Sequence, residues 1–418
     1  MVNLPGLPSE DRAGELARPT QFPIQDLDDR EWDVVVVGAG PAGCVAAHQL
    51  SSGGHSVLLI EREALPRDKV CGDGLLPDAL RVLDQLGLLA QVVRRAHHSR
   101  ITHVFSPARI GIELAGGFLS VPRRELDTLL VQAAIDRGTS VAQGTILSVR
   151  SRDPTGVELT ARQRSTPIRA RIGIIATGAD VSLMEPLGMV SRRQPSAIAL
   201  RCYIQSDASL DHWVVSFDRA VAPGYAWVFP LGEGRYNAGC GQFASRNRRP
   251  WGNLRDKFDR FVTSFPSARG LFQRASHIDK PVGARLRCGL AGALVHDGGS
   301  VIAVGEAIGA TYPFTGEGVG KAMETSLIAS EYADRALQSN DRRVLEELSK
   351  AFAHGLAPRY QGYQVAERWM AHPWLADFLA RRARSSPRLR HALEGILCES
   401  VDPGLAFSLR GLFAVLVG

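Results

Sequence analysis

The chain has no uninterrupted apolar run of ~18 residues, the length a membrane-spanning helix needs, so no spanning helix is expected. Its longest late apolar stretch, residues 411–418, is far too short. The N-terminus, MVNLPGLPSEDRAGELARP, lacks a basic start followed by an apolar core, which predicts no secretory signal. Cysteine is scarce. Cys44, Cys71, Cys202, Cys240, Cys288 and Cys398 lie far apart and form no CxxC pair. That spacing argues against a zinc or disulfide framework and for reduced thiols in the cytoplasm. His103, His212, His277 and His296 have no metal-ligand spacing either. There is no repeat of fixed period, no Walker loop, no nucleophile elbow and no nucleic-acid recognition motif. The net charge of +6 comes from arginine, dense over residues 359–410. It reads as a solvated basic face, with an anionic membrane surface or an acidic partner as the alternative.

What remains is a soluble globular composition, 45% apolar and 22% charged, over 418 residues. That length suits two or three domains. Residues 1–30 are polar, proline-containing and aperiodic, a loose extension. Order begins at Asp33-Val34-Val35-Val36-Val37, a β-branched run that predicts a buried parallel strand. A helix from Pro41 to Ser52, a turn at Gly53-Gly54 and a strand at Ser56-Val57-Leu58-Leu59-Ile60 follow. A glycine-rich loop spans 66–75, and helical spacing returns at 77–89 and 124–137. Residues 141–177 alternate like a hairpin and close on an apolar strand at 172–176. Strand-like runs at 197–204, 213–217, 225–229 and 235–240 predict a mostly antiparallel second domain. Val301-Ile302-Ala303-Val304 is again a buried strand, so the chain leaves the first domain and comes back. Beyond about residue 345 the pattern is helical and basic.

Two motifs carry chemistry. Gly38-Ala39-Gly40-Pro41-Ala42-Gly43 follows a strand, opens a helix and precedes a second strand ending in Glu61, the full context of a dinucleotide site. Gly38 permits the tight turn, Gly40 lets backbone approach a pyrophosphate, and Gly43 lets helix pack on sheet. The helix start offers free N–H groups and positive dipole to phosphate. An acid at Glu61 suits a ribose hydroxyl and disfavours a 2′-phosphate. The second motif is Val304-Gly305-Glu306-Ala307-Ile308-Gly309, then Pro313-Phe314-Thr315-Gly316-Glu317-Gly318-Val319. Its acid, Glu306, suits a polyol such as a ribityl chain. A helix starting near Gly318 would stabilise charge on the N1–C2=O edge of a reduced flavin. The two half-sites together predict FAD.

These features resemble the geranylgeranyl reductase family, within the FAD flavoproteins built like p-hydroxybenzoate hydroxylase. The resemblance spans most of residues 33–330. It includes Lys69-Val70-Cys71-Gly72-Asp73-Gly74-Leu75, Arg123 four residues before Asp127, and Ala176-Thr177-Gly178. Its most specific element is Tyr225-Ala226-Trp227-Val228-Phe229-Pro230 followed by Gly239-Cys240-Gly241, similar to the reductases' YxWxFP…GxG signature. The Cys71-Gly72-Asp73-Gly74-Leu75 loop resembles the branch that reduces menaquinone side chains. Relatives usually carry Asp where this chain has Glu306.

The resemblance implies an α/β fold: a Rossmann-like FAD-binding domain (31–190 and 280–345), an inserted mostly antiparallel β-sheet substrate domain (191–279) and a C-terminal helical region (346–418). It implies cofactor contacts from Gly38, Gly40, Pro41, Ala42, Gly43, Glu61, Arg62, Cys71, Gly72, Arg123, Gly178, Gly305, Glu306, Pro313, Gly316, Gly318 and Val319. Tyr225, Trp227, Phe229 and Pro230 would line a pocket for a hydrophobic substrate; by spacing alone Tyr225, Trp227 and Phe229 share one strand face, which reads as sheet core. Candidates for a catalytic group are Cys71, Lys69 and Asp73. Cys71 reads either as an active-site thiol or as a packed residue, and Lys69 as a solvent-facing lysine or a group near the flavin. The implied reaction is reduction of an isoprenoid double bond by hydride from reduced FAD. The proton donor is left open between water and the 71–74 loop. NAD(P)H or a ferredoxin-type carrier would supply electrons, since no second GxGxxG is present. The alternatives are a flavin monooxygenase, a flavin halogenase (though Tyr225 and Phe229 depart from that group's WxWxIP motif) and a flavin-binding scaffold without turnover. Trp369, Met370, Trp374, Leu375, Phe378 and Leu379 are spaced to share one helix face, docked on the core or held against a membrane if the substrate is a lipid. The expected location is cytoplasmic or peripheral at the inner membrane face.

Overall fold

A computed structural model of the chain describes residues 18–152, 156–243 and 252–406. The first seventeen residues of the expected N-terminal extension and the apolar run at 411–418 lie outside them.

Two sheets organise the fold. The first has eight strands in the order Phe22–Pro23, Ser140–Gln143, Val57–Glu61, Glu31–Val37, Ile168–Ile175, Gly156–Ala161 and Ile146–Arg152, with Val301–Ala303 also paired to Ile168–Ile175. Its central strands are parallel. The four valines Val34 to Val37 are buried, as befits a central parallel strand. The helices Pro41–Ser52, Arg123–Asp136 and Val319–Ser339 pack together against the sheet. Residues 146–161 form the expected hairpin.

The N-terminal segment is more ordered than its polarity suggests. Phe22–Pro23 adds an edge strand beside Ser140–Gln143, and Ile24 is fully buried. Leu27 is buried with it and Phe22 packs beside them, so a few apolar anchors dock a polar segment where a free sheet edge lies within reach.

The second sheet has nine strands. Its order is Ala275–Ile278, Ala197–Ser206, Arg235–Phe243, Tyr225–Gly232, Trp213–Ser216, His97–Phe105, Gly111–Ser120 and Gly74–Leu75, with Val282–Leu286 also paired to Ala197–Ser206. It is antiparallel except where Trp213–Ser216 runs parallel to His97–Phe105. Its last three strands come from residues 74–120, inside the span read as nucleotide-binding. No local pattern assigns a strand to one sheet or the other; only pairing partners do.

The C-terminal region is helical throughout its described part: Arg343–Gly355, Ala357–Met370, Pro373–Ser385, Pro387–Leu397 and Pro403–Ala406. The expectation of one continuous apolar face over 369–379 is corrected here. Pro373 has no N–H to continue the helix, and His372 before it is extended at φ −99°, ψ 104°. Trp369 and Met370 therefore end one helix, and Trp374, Leu375, Phe378 and Leu379 belong to the next. Leu375 and Leu379 are buried, whereas Trp374 is 69% exposed. Among the described residues no helix is long and apolar enough to cross a membrane.

Candidate functional site

A cavity of about 890 Å³ lies where the two sheets and the C-terminal helices meet. Its volume is at the upper end of the ~300–1,000 Å³ usual for ligand sites. One end is polar and glycine-lined, the other apolar and aromatic.

At the polar end, Glu31–Val37 runs into the turn at Gly38, whose N–H donates to Ile60 O at 2.8 Å. The helix Pro41–Ser52 then starts with no side chain capping it, so its first-turn N–H groups face the cavity lined by Gly38, Gly40, Pro41 and Ala42. Gly43 does not line the cavity; it packs the helix on the turn. Glu61 Oε2 accepts from Ala39 N–H at 3.0 Å and from Arg67 at 3.2 Å, tying the second strand to the turn. Arg62 lines the same end, 63% exposed in its side chain.

Arg67 carries no motif and went unnoticed in the sequence. It bonds Glu61, Ala39 O and, at 3.0 Å, Asp127. Arg123 grips Asp127 with two bonds of 2.7 and 2.9 Å. Burial opposes the Arg123 charge, and Asp127 more than offsets it, holding the guanidinium above its ordinary range. Two arginines thus face the cavity, held by Asp127, which is 1% exposed.

The returning strand Val301–Ala303 delivers Glu306, whose Oε1 accepts the Arg287 N–H at 3.2 Å. Burial raises its pKa; Lys69 is the strongest of the groups opposing that shift. Lys69 and Glu306 flank Gly178: a side-chain carbon there would sit 3.9 Å from Lys69 Nζ and 3.5 Å from Glu306 Oε2. Gly316, Gly318 and Val319 line the cavity at the uncapped start of Val319–Ser339. Gly305 and Pro313 do not line it. Gly305 is buried in the turn, donating its N–H to Thr325 Oγ1 at 3.0 Å.

Cys71 and Gly72 reach the cavity wall. Burial pushes the Cys71 thiol up, with Arg123 pulling the other way, so it is a neutral thiol rather than a nucleophilic thiolate. Asp73 does not reach the wall. Its Oδ1 accepts the Arg123 N–H at 3.1 Å, and its Oδ2 accepts Tyr203 Oη and Asn237 Nδ2, both at 2.8 Å. Burial pushes Asp73 up to about 6, against those hydrogen bonds. Asn237 Nδ2 also donates to Cys71 O, and its Oδ1 accepts Trp227 Nε1–H at 2.9 Å. Asp73 is therefore a clasp between the loop, the helix Arg123–Asp136 and the second sheet. The positive φ of 63° at Asp73 gave no sequence signal beyond its neighbouring glycines.

At the apolar end, Tyr225, Trp227 and Phe229 share one strand face and all line the cavity, while Pro230 does not. Trp227 pairs across to Gly239 and Tyr225 to Gly241. A side-chain carbon at Gly239 would collide with the Trp227 ring, so the first glycine of the GxG leaves the space that ring occupies. Trp213 stacks on Phe229 at 4.1 Å and on Phe118 at 5.0 Å. Phe217 stacks on Phe314 at 5.4 Å. Trp213, Phe118, Phe217 and Phe314 lie outside the signature and meet it only in the folded chain. Met370, Leu379 and Ile396 of the C-terminal helices also line the cavity.

Comparison with known proteins agrees with this geometry. The family model described as FAD binding domain matches residues 31–200. A menaquinone reductase of Mycolicibacterium smegmatis is 32% identical over 320 residues, covering 72% of this chain and 75% of the relative. A digeranylgeranylglycerophospholipid reductase of Methanopyrus kandleri is 31% identical, over 74% of this chain and 82% of the relative. The crystal structure of a geranylgeranyl bacteriochlorophyll reductase-like protein from Thermoplasma acidophilum superposes with a TM-score of 0.74 at 22% identity, covering 93% of this chain and 96% of the other. The glycine cradles, the uncapped helix starts and the double arginine clamp fit FAD, and the chain belongs to the geranylgeranyl reductase family of FAD-dependent oxidoreductases.

Proposed function

We propose that this protein saturates a carbon–carbon double bond in a hydrophobic, isoprenoid-type substrate. The observation that carries the reading is the single cavity joining a glycine-lined polar end to an aromatic chamber. The reductases named above support it through identity over most of the chain.

In this reading the first-turn N–H groups after Gly40 hold the pyrophosphate, with Arg123 and Arg67 beside it. Glu61 takes the adenosine ribose and Glu306 the ribityl chain. The helix start at Gly318 and Val319 would stabilise negative charge on the reduced flavin. Cys71 and Gly72 pack near the ring, and Tyr225, Trp227 and Phe229 carry the substrate. Bound FAD supplies hydride transfer, after reduction by NAD(P)H or a ferredoxin-type carrier. The residues orient the partners and exclude water; the aromatic floor offers no charge that would hold a polar substrate.

The test is turnover of the reduced enzyme without oxygen, on prenyl lipids and prenylated quinones, read by mass spectrometry. A gain of two hydrogens is expected. A gain of one oxygen, seen only in air, would replace this reading with the monooxygenase one. Halogenated product that requires Lys69 would replace it with the third.

A lipid substrate also implies peripheral membrane contact. Trp374 projects into solvent from the helix Pro373–Ser385, whose Ala376 and Leu379 line the cavity, and Arg381 and Arg384 stand on the exposed side of that helix. Trp374→Ala is expected to weaken co-sedimentation with anionic liposomes about tenfold at low salt. Unchanged partitioning would end the membrane proposal.

A further inference from the structure

We propose that Glu317 is the proton donor to the substrate carbon that does not receive hydride, an inference that rests on the reductase reading above. Glu317 sits between Gly316 and Gly318 on the turn before Val319–Ser339. Glu317 lines the cavity and is 8% exposed, and its Oε2 is fully buried with no hydrogen-bond partner. Tyr225 of the aromatic floor is near enough that Glu317 is the leading charge acting on its phenol.

Glu317 belongs to a buried cluster. Lys321 Nζ lies 2.6 Å from Glu324 Oε2, 2.7 Å from Glu399 Oε1 and 3.4 Å from Asp78 Oδ2. Arg81 holds Glu399 at 2.9 Å, and Arg359 holds Glu324 at 3.2 Å. Asp78, Glu324 and Glu399 thus each have a cation. Glu317 has no ion pair among the described residues. Four carboxyls face three cations, Lys321, Arg81 and Arg359, and burial penalises the surplus charge, so one carboxyl keeps its proton. Burial first, then Asp78 and Glu399, raise Glu317 well above the carboxylate range, with Lys321 and Thr315 opposing. Asp78, also on the cavity wall, is pushed up to about 6 by burial. The buried phenols of Tyr312, Tyr360 and Tyr363 nearby stay neutral. Asp78, Glu317 and Glu399 approach within 4.8 Å of one another in the manner of a cation site, but the ammonium of Lys321 already stands among them.

The chemistry balances. One alkene carbon would receive a hydride, one proton with two electrons, which bound reduced FAD would supply. The electron pair of the broken π bond takes the proton from the Glu317 carboxyl at the other. The Glu317 carboxylate is then reprotonated from water, through Asp78 or the cavity.

The experiment compares wild type with E317Q, which keeps the shape and loses the acid. Both are reduced anaerobically and mixed with a prenyl alkene or, separately, with oxygen. Flavin reoxidation by alkene is expected to slow about 100-fold or more in E317Q, while reoxidation by oxygen stays within about twofold. The wild-type alkene rate should fall as pH rises through the Glu317 pKa, and the residual E317Q rate should be flat. In the flavin-free protein at neutral pH, the infrared C=O band of a protonated carboxyl should be present in wild type and reduced in E317Q. Alkene-driven reoxidation in E317Q within a few-fold of wild type, or no loss of that band, would overturn the proposal alone. A wild type that saturates no prenyl alkene would overturn it together with the reductase reading. If E317Q fails to fold, the wild-type profile decides: a rate flat from about pH 6 to about pH 10 would overturn the proposal.

Discussion

Gly43→Ala is expected to yield protein that has lost FAD, with affinity lower by about 100-fold or more, equivalent to about 2.7 kcal/mol. A methyl group at position 43 would drive into the carbonyl oxygen of Gly38 and sit 3.3 Å from Ala176 Cβ. Neither neighbour can yield cheaply. Gly38 is itself pinned at φ 108° with Ala176 O against the place its own side chain would occupy. The helix must therefore lift off the turn, which carries the first-turn N–H groups away from the phosphates. Overpacking of this kind also costs about 1–3 kcal/mol of stability. Flavin absorbance of the purified variant and titration with free FAD measure the effect. Gly270→Ala is the control. It lies in the helix Pro266–Gln273 with nothing within 4 Å of the added carbon, so FAD binding should be retained and stability unchanged or slightly raised. If Gly43→Ala binds FAD like wild type, the role given to this turn is wrong.

Asp73→Ala should be the most destabilising change in the 71–74 loop, by about 3 kcal/mol or more. It strands three buried donors at once: the Arg123 N–H, the Tyr203 hydroxyl and one N–H of Asn237. It also places alanine at φ 63°, where a side-chain carbon adds about 1 kcal/mol of strain that aspartate partly relieves by local hydrogen bonding. Asp73→Gly removes that strain but keeps the stranded donors, so it should recover only the smaller part of the loss. Chemical denaturation of the three proteins separates the terms. Recovery of full stability in Asp73→Gly would show that the hydrogen bonds contribute little. The wild-type residue has its own pH signature. Its folded pKa, about 6, lies above the ordinary 3.8. The stability linked to its protonation is therefore complete below about pH 3.8 and lost as pH rises through about 6. Wild type should be measurably less stable at pH 7 than this residue alone would make it at pH 5, and Asp73→Gly should lack that component.

Much of the site was legible in the order of residues. The strand–turn–helix–strand around Gly38 to Gly43 is local, so its glycine spacing is dictated by one tight turn and one close packing. The same holds for Gly305 to Val319, and the 225–229 alternation placed three rings on one face because strand geometry has a period of two. Other features left no such trace. Arg67 is an ordinary loop arginine until Glu61 and Asp127 converge on it. Asp73 looked like a candidate acid because of its company, yet its oxygens are used by partners 50, 130 and 164 residues away. The break at Pro373 was visible as a proline but was outweighed by the apolar spacing around it.

The order of residues was enough to establish the cofactor class and the two glycine half-sites, since these depend on backbone conformation over a few consecutive residues. Only the folded chain shows which further rings join the cavity wall, which arginines share Asp127, and which carboxyl of four is left without a cation. Those are outcomes of sheet order and of burial, in which distant segments set one another's solvation and charge, and no spacing along the chain encodes them.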